Sequence, residues 1–391
     1  MNHLLSAANT VGYTMPPVWR ILTKTGYFIG LSGSIGATVT YATTVRPALR
    51  AAGTDTRDAT VLRSRSATFL AGAGVALLVA GYFQLAARVA RAGKGMPFGD
   101  ALAPGAIRDY LRAPAAKDAW IAQGTVHLVQ NAVLAVTAAA LMALFIPAAR
   151  RHTDAIALTA LPLSLAVSLI AAVPTTAPAD LDRWLDLAFD QTHIVSGTVW
   201  LGGLAALVAL VGTRGRLGDG AGLLWADLWR RFSLVAMICV GAVTVSGLWL
   251  SWKHVGGISQ LWTTGYGIAL LVKILLVVGL VAAGAVNQFW LMPRIVRARR
   301  ADDTATLLHL TLRHFPKVVW GEVALGLAVL VVMPFLAGSA RTEAGSAKAV
   351  SSGSVFAAGA ALVAALAVSL YATAKASDAL SRRQDASPAT A

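Results

Sequence analysis

The chain has 391 residues, of which 57% are hydrophobic and only 13% charged, with a mean hydropathy of +0.65. Soluble domains carry about 25% charged residues, so this composition excludes an ordinary water-soluble globule. The net charge of +15 does not point to nucleic acid either. The cations sit in short segments between apolar runs, which is how charge sets the topology of an integral membrane protein.

A helix needs about 20 apolar residues to cross the hydrocarbon core of a bilayer. Nine runs reach that length, near 22–45, 66–90, 120–147, 153–173, 188–212, 231–252, 265–291, 316–337 and 354–374. The expected fold class is all-α, a polytopic membrane helix bundle of about nine transmembrane helices. The N-terminus has neither the basic stretch nor the small-residue cleavage site of a signal peptide, so the first run is expected to stay as a span. The single cysteine, Cys239, lies inside an apolar run, so no disulfide within the chain and no CxxC metal motif is available.

Basic residues alternate along the runs. Arg46, Arg50, Arg57, Arg63 and Arg65 follow the first, and Arg150 and Arg151 the third. Arg214, Arg216, Arg230 and Arg231 follow the fifth. Arg294, Arg297, Arg299, Arg300, Arg313 and Lys317 follow the seventh, and Lys375, Arg382 and Arg383 the ninth. This side holds more than half of the 33 cations. The positive-inside rule makes it cytoplasmic, with the N-terminus outside and the C-terminus inside. About half of the opposing cations gather in and beside the long 88–119 connection, where loop length weakens the rule.

The runs also repeat. Arg65 stands to Gly81 as Arg231 stands to Gly247. Counting back equally from Pro147 and Pro293 reaches His127 and Lys273, and counting back equally from Pro174 and Pro334 reaches Pro162 and Glu322. The spacing predicts a parallel 4+4 repeat about an axis along the membrane normal. Its halves are 1–180 and 181–337, and 338–391 adds an extra span and a cytoplasmic tail.

Ionisable groups inside a span are costly and mark function. The fifth run opens with Asp190 and His193. With the N-terminus outside, His193, His127 of the third run and Lys273 of the seventh share one depth in the outer leaflet. Gln123, Gln130, Asn131 and Gln191 add polarity at that level. If 181–193 is helical, Asp182, Asp186, Asp190 and His193 lie on one face. They would then form an acidic entrance that concentrates cations, or else simply solvate an outer loop. His254 stands at the same entrance. Imidazole suits copper, zinc, iron or nickel, and thioether suits Cu(I). The expected metal ligands are therefore His193, His127, Asp190 and Met333, with Met15 and Met96 as further outer thioethers. Glu322, near the cytoplasmic start of the eighth run, is a candidate exit ligand or proton carrier. Two alternatives stand beside metal handling. The two histidines are also the axial pair that a b-type haem would use in electron transfer. In a ligand-free scaffold, buried polar groups would serve only helix association.

The fifth run, His193 through Trp200-Leu-Gly202-Gly203, resembles the H…WxGG helix of the copper resistance protein D family. Arg231-Phe232-Ser233, Ser246-Gly247, Thr264-Gly265-Tyr266-Gly267 with Lys273, and Asn287 followed by Pro293 are similar to that family's central pattern. Glu322 with Pro334 resembles its closing helix. The likeness covers roughly 188–337. It implies a bacterial inner-membrane protein that handles copper, moving it across the membrane or toward cuproenzymes. It also implies functional positions at His193, Trp200, Gly203, Lys273 and Glu322. Gly202 and Gly203 are read as packing positions. No outer Met-rich or His-rich tract is present, so delivery by a periplasmic copper chaperone or a neighbouring protein is expected. No nucleotide-binding motif of the GxxxxGK[ST] type occurs, and no enzymatic activity is expected.

Overall fold

The computed structural model describes residues 13–53, 56–93, 95–178, 180–218, 221–286, 294 and 315–385. Every regular element among them is helical. The long helices are α1 (Val18–Thr40), α2 (Arg57–Ala92), α3 (Gln123–Met142), α4 (Thr153–Ala171) and α5 (Leu181–Val211). They continue with α6 (Ala221–His254), α7 (Gly265–Val286), α8 (Phe315–Val332) and α9 (Gly353–Asp385). Each expected run coincides with one of them. Six, α2 to α7, are long and apolar enough to cross a membrane, and α8 and α9 contain shorter apolar stretches. The chain is a multi-pass membrane protein built from helices. Asn287, Pro293, Arg297, Arg299, Arg300 and Arg313 of the expected patterns lie outside the described residues, as do His309 and His314.

The helices outrun the apolar segments that reveal them. α2 begins at Arg57 rather than near 66, because Thr56 caps it: its hydroxyl accepts from Ala59 N at 3.2 Å. α5 begins at Leu181 rather than near 188, because the Asp180 carboxylate accepts from Arg183 N at 2.9 Å. α6 begins at Ala221, well before 231, since Trp225 and Trp229 are fully buried there. Hydropathy marks the stretch facing lipid, whereas caps and buried aromatics set where the backbone winds.

Below Thr40, α1 passes through a π-helical turn, Tyr41–Val45, into Arg46–Ala51. Pro47 follows that turn and has no N–H to continue the regular ladder. The widened turn directs the Tyr41 hydroxyl to Asp154 Oδ1 (2.6 Å), while Arg46 pairs with Asp154 Oδ2 at 3.1 Å. The end of α1 is thereby pinned to the start of α4.

The core runs along α1, which packs chiefly on α2 and α5 and also touches α4 and α8. α2 packs on α3, α3 on α4, α5 on α6 and α7 on α8. The α1–α5 contact is backbone to backbone. A Cβ at Gly36 would lie 2.7 Å from Thr198 O, and one at Gly202 would collide with Ser32 O. The shift in numbering that takes Gly36 to Gly202 also takes Ser32 to Thr198 and Arg65 to Arg231. The contact is therefore reciprocal. Outward, α7 presents Val272, Leu275 and Val278 to the surroundings, as expected of a lipid-facing helix.

The segment just after 337 packs onto the start of α7, whereas the described part of α9 is largely exposed. The short helix Ala340–Glu343 buries Ala340 against Tyr266 and Leu270. The Glu343 carboxylate accepts from the backbone N–H groups of Gly265 (2.8 Å) and Tyr266 (3.0 Å), at the first turn of α7.

Candidate functional site

His193 lies on the inner face of α5, where three helices fix its ring. Ser246 of α6 donates its hydroxyl to the Ala242 carbonyl at 2.6 Å. Its oxygen is left to accept from His193 Nδ1, 3.1 Å away. The proton therefore resides on Nδ1, and Nε2 carries a lone pair. That lone pair faces Lys273 of α7, whose ammonium approaches to 3.3 Å. Gly247 makes room for the ring: a Cβ there would sit 3.4 Å from His193 Cε1.

His193, Lys273 and Met333 border one cavity of about 80 Å³ between α1, α5, α6, α7 and α8. Its walls are otherwise nearly all apolar, with Phe28, Trp200, Leu201, Val277, Leu280 and Leu330 among them. Ser32 also lines it. Its hydroxyl is buried, and no described residue partners it. Lys24 of α1 donates to the Met333 carbonyl at 3.3 Å, which ties the turn carrying the thioether to α1. An imidazole nitrogen and a thioether bordering one nearly apolar cavity are donors that fit a soft cation.

Asp190 is exposed on the first turns of α5, within electrostatic reach of Lys273, His254 and Lys24. His254 donates through Nδ1–H to the Leu250 carbonyl (2.7 Å) and stacks on Tyr266 at 5.5 Å. Residues 181–193 form one continuous helix. Asp182 and Asp186, however, are engaged by Lys253 of α6, in direct ion pair with Asp182 and 3.4 Å from Asp186. Trp249 Nε1 also donates to Asp186 at 2.9 Å, and Ser351 to Asp182. Lys253 sits over the Trp249 and Trp252 rings at 5.3 and 5.2 Å. These two carboxylates clamp α5 to α6 and to the approach of α9. Asp190 alone of the stripe stands beside the cavity's cations.

His127 is brought into a different cluster. It is 5% exposed, and its Nδ1 meets the Tyr110 hydroxyl at 2.7 Å while the rings stack. Asn131 donates to the His127 carbonyl at 2.8 Å. Nearby, Gln130 accepts from Arg88 at 2.7 Å and donates to the Tyr27 hydroxyl at 2.9 Å. α3 and α5 share no substantial interface, and the two histidines share no partner among the described residues. Equal depth did not bring them together, because α1 and α2 occupy the space between. The same separation removes the premise of a haem held by this pair. Among the described residues, no three His, Cys, Asp or Glu side chains group where a metal ion could be held.

Most of the remaining expected positions are buried. Trp200 is buried on the cavity wall. Gly202 touches α1, and a Cβ at Gly203 would press into Thr40 and Phe232. Tyr266 is buried, and a Cβ at Gly267 would strike the Gln260 carbonyl. Glu322 is 3% exposed within α8. Met15 is exposed and Met96 packs beside Trp19, both apart from the cavity. Sequence reasoning missed the roles of Ser246, Lys253, Glu343 and Tyr110. For Ser246, the signal was its place beside Gly247 in the very helix that faces His193.

Residues 226–336 match the family described as Copper resistance protein D. That segment includes Ser246, Tyr266, Gly267, Lys273, Glu322 and Met333, and stops short of His193, Trp200, Gly202 and Gly203. The chain is 31% identical over 273 residues to the copper transport protein CutJ of Bacillus subtilis (strain 168). The similarity covers 69% of this chain and 45% of that protein, so the chain spans less than half of the relative it matches. No solved structure matches the chain. Residues 226–336 therefore belong to the copper resistance protein D family.

Proposed function

We propose that the protein binds copper in the cavity beside His193 and passes it inward across a bacterial inner membrane or to cuproenzymes. One observation carries the reading: His193, whose Nε2 meets Lys273, borders the same cavity that Met333 lines. Family membership and the name of the CutJ relative support copper as the metal. The primary donors are His193 and Met333, with Asp190 at the mouth. His127 acts at most from its separate cluster. Copper is cargo here, and no catalytic step is assigned. Inward passage of a cation is favoured by the inside-negative potential, by about 2.3 kcal/mol per charge per 100 mV. A periplasmic chaperone is the proposed donor.

The same reading takes all nine helices as spans, with the N-terminus outside and the C-terminus inside. α1–α4 and α5–α8 are read as parallel repeats. The reciprocal Gly36–Gly202 contact supports that relation, since equivalent residues meet where a two-fold axis would pass.

The test is copper accumulation in cells that express the full chain or its His193→Ala variant at equal levels. A clear fall in the variant is expected. Equal accumulation would remove the site.

A further inference from the structure

We propose that Lys273 is a resident cation of the copper site, and that copper enters as Cu(I) by taking its place on His193. The inference rests on the copper reading above and specifies both the ion and how the site is closed without it.

The hydrogen-bond chain leaves one arrangement of protons. The Ser246 hydroxyl is spent on the Ala242 carbonyl at 2.6 Å, so Nδ1 of His193 must donate to the Ser246 oxygen at 3.1 Å. Nε2 is then the metal-binding atom, and the Lys273 ammonium already occupies it at 3.3 Å. A metal ion and this ammonium cannot use one lone pair together. Metal binding therefore requires Lys273 to leave, while Nδ1–H stays where it is.

The surroundings decide which ion can make the exchange. The cavity is about 80 Å³ with walls that are nearly all apolar, so charge inside it is poorly screened. Replacing one unit positive charge by another keeps the cavity's charge constant. A divalent ion would add a charge that no described residue lining the cavity compensates. The donors agree. His193 and Met333 give one imidazole and one thioether, a set that suits Cu(I) and falls short of the tetragonal N and O set of Cu(II). The departing ammonium has a destination. Asp190 lies on the same helix as His193 within electrostatic reach of Lys273, and the lysine stem is long and flexible. The capped state lowers apparent affinity by the fraction of molecules that are open.

The test uses the purified full chain in lipid nanodiscs, titrated with Cu(I) against a chromophoric Cu(I) chelator and with Cu(II) against a Cu(II) chelator. Lys273→Leu removes the competing charge without adding a metal donor and is expected to tighten Cu(I) binding about tenfold or more. Lys273→Arg keeps a cation in place and should give no tightening. His193→Ala should abolish binding, and the wild type should hold Cu(I) far more tightly than Cu(II). If Lys273→Leu does not fold, Lys273→Gln carries the same expectation. Unchanged or weaker Cu(I) binding in a folded Lys273→Leu protein, with His193 dependence intact, overturns the exchange but leaves the copper site. Cu(II) bound as tightly as Cu(I) through His193 also overturns it. Binding that ignores His193→Ala instead removes the site itself.

Discussion

Gly36 and Gly202 meet where α1 crosses α5, each against a carbonyl of the other helix, those of Thr198 and Ser32. Neither position has room for a methyl group. Close backbone approach of this kind depends on small residues. Gly202→Ala must push the helices apart, and overpacking of this sort costs about 1–3 kcal/mol. Gly36→Ala should act in the same direction. Gly72→Ala is the control, since no side chain or other helix among the described residues lies within 4 Å of its would-be Cβ. Thermal melting of detergent-solubilised protein should show lowered midpoints for the first two and none for the third. Equal stability of all three would contradict the close crossing.

In the proposed copper site Ser246 acts only through His193, by holding Nδ1–H at 3.1 Å. Removing such a supporting partner typically lowers metal affinity about 10–100-fold. Ser246→Ala should therefore weaken Cu(I) binding in that range, while the melting midpoint stays near the wild type. Ser246→Thr keeps the hydroxyl and should recover much of the affinity. A Ser246→Ala protein with full affinity would mean that the ring is oriented by something else.

The sequence made the helices legible because hydropathy reports what lipid touches, and each expected run found its helix. It placed His193 and Lys273 at one depth, and they do meet. His127 shared that depth and does not join them. Depth is a single coordinate, and the angular positions of α3 and α5 around α1 come from interhelical packing that no run of residues encodes locally. The aspartate stripe failed as a free acidic path for a related reason. Helical spacing correctly placed Asp182 and Asp186 on one face, but the partner waiting there, Lys253, sits on another helix.

Lys253 engages Asp182 and Asp186 and covers two tryptophans. Both carboxylates thereby tie α5 to α6. Asp182→Asn should leave copper accumulation unchanged and lower the melting midpoint slightly, since a partly exposed ion pair contributes up to about 1 kcal/mol. An acidic path that feeds the site would give the opposite pattern, with accumulation reduced and stability kept. Lys253→Gln should resemble Asp182→Asn, and the double variant should cost less than the sum of the two.

Glu343 holds the first turn of α7 through two backbone N–H groups, at 2.8 and 3.0 Å. A carboxylate at a helix N-terminus satisfies orphan donors and matches the helix dipole, a contribution of about 1 kcal/mol. α7 carries Lys273, so loosening its start also loosens the cap on His193. Glu343→Gln should lower stability modestly and raise hydrogen exchange at Gly265 and Tyr266. Unaltered exchange there would show that the Gln260–Thr263 turn holds the helix start alone.

The last prediction concerns His127, which offers the same chemistry as His193 in a different setting. Its ring is held by Tyr110 at 2.7 Å and stacked upon it, and it does not line the cavity that His193 and Met333 share. His127→Gln should leave Cu(I) affinity at the wild-type value and lower stability, because a buried hydrogen bond and its stacking are lost. Tyr110→Phe should do the same more weakly, since only the hydroxyl goes. The discriminating measurement is Cu(I) titration of both variants beside His193→Ala. If His127→Gln weakened binding as strongly as His193→Ala, the two histidines would have to converge on one ion, and α3 would have to move past α1 and α2 to bring them together.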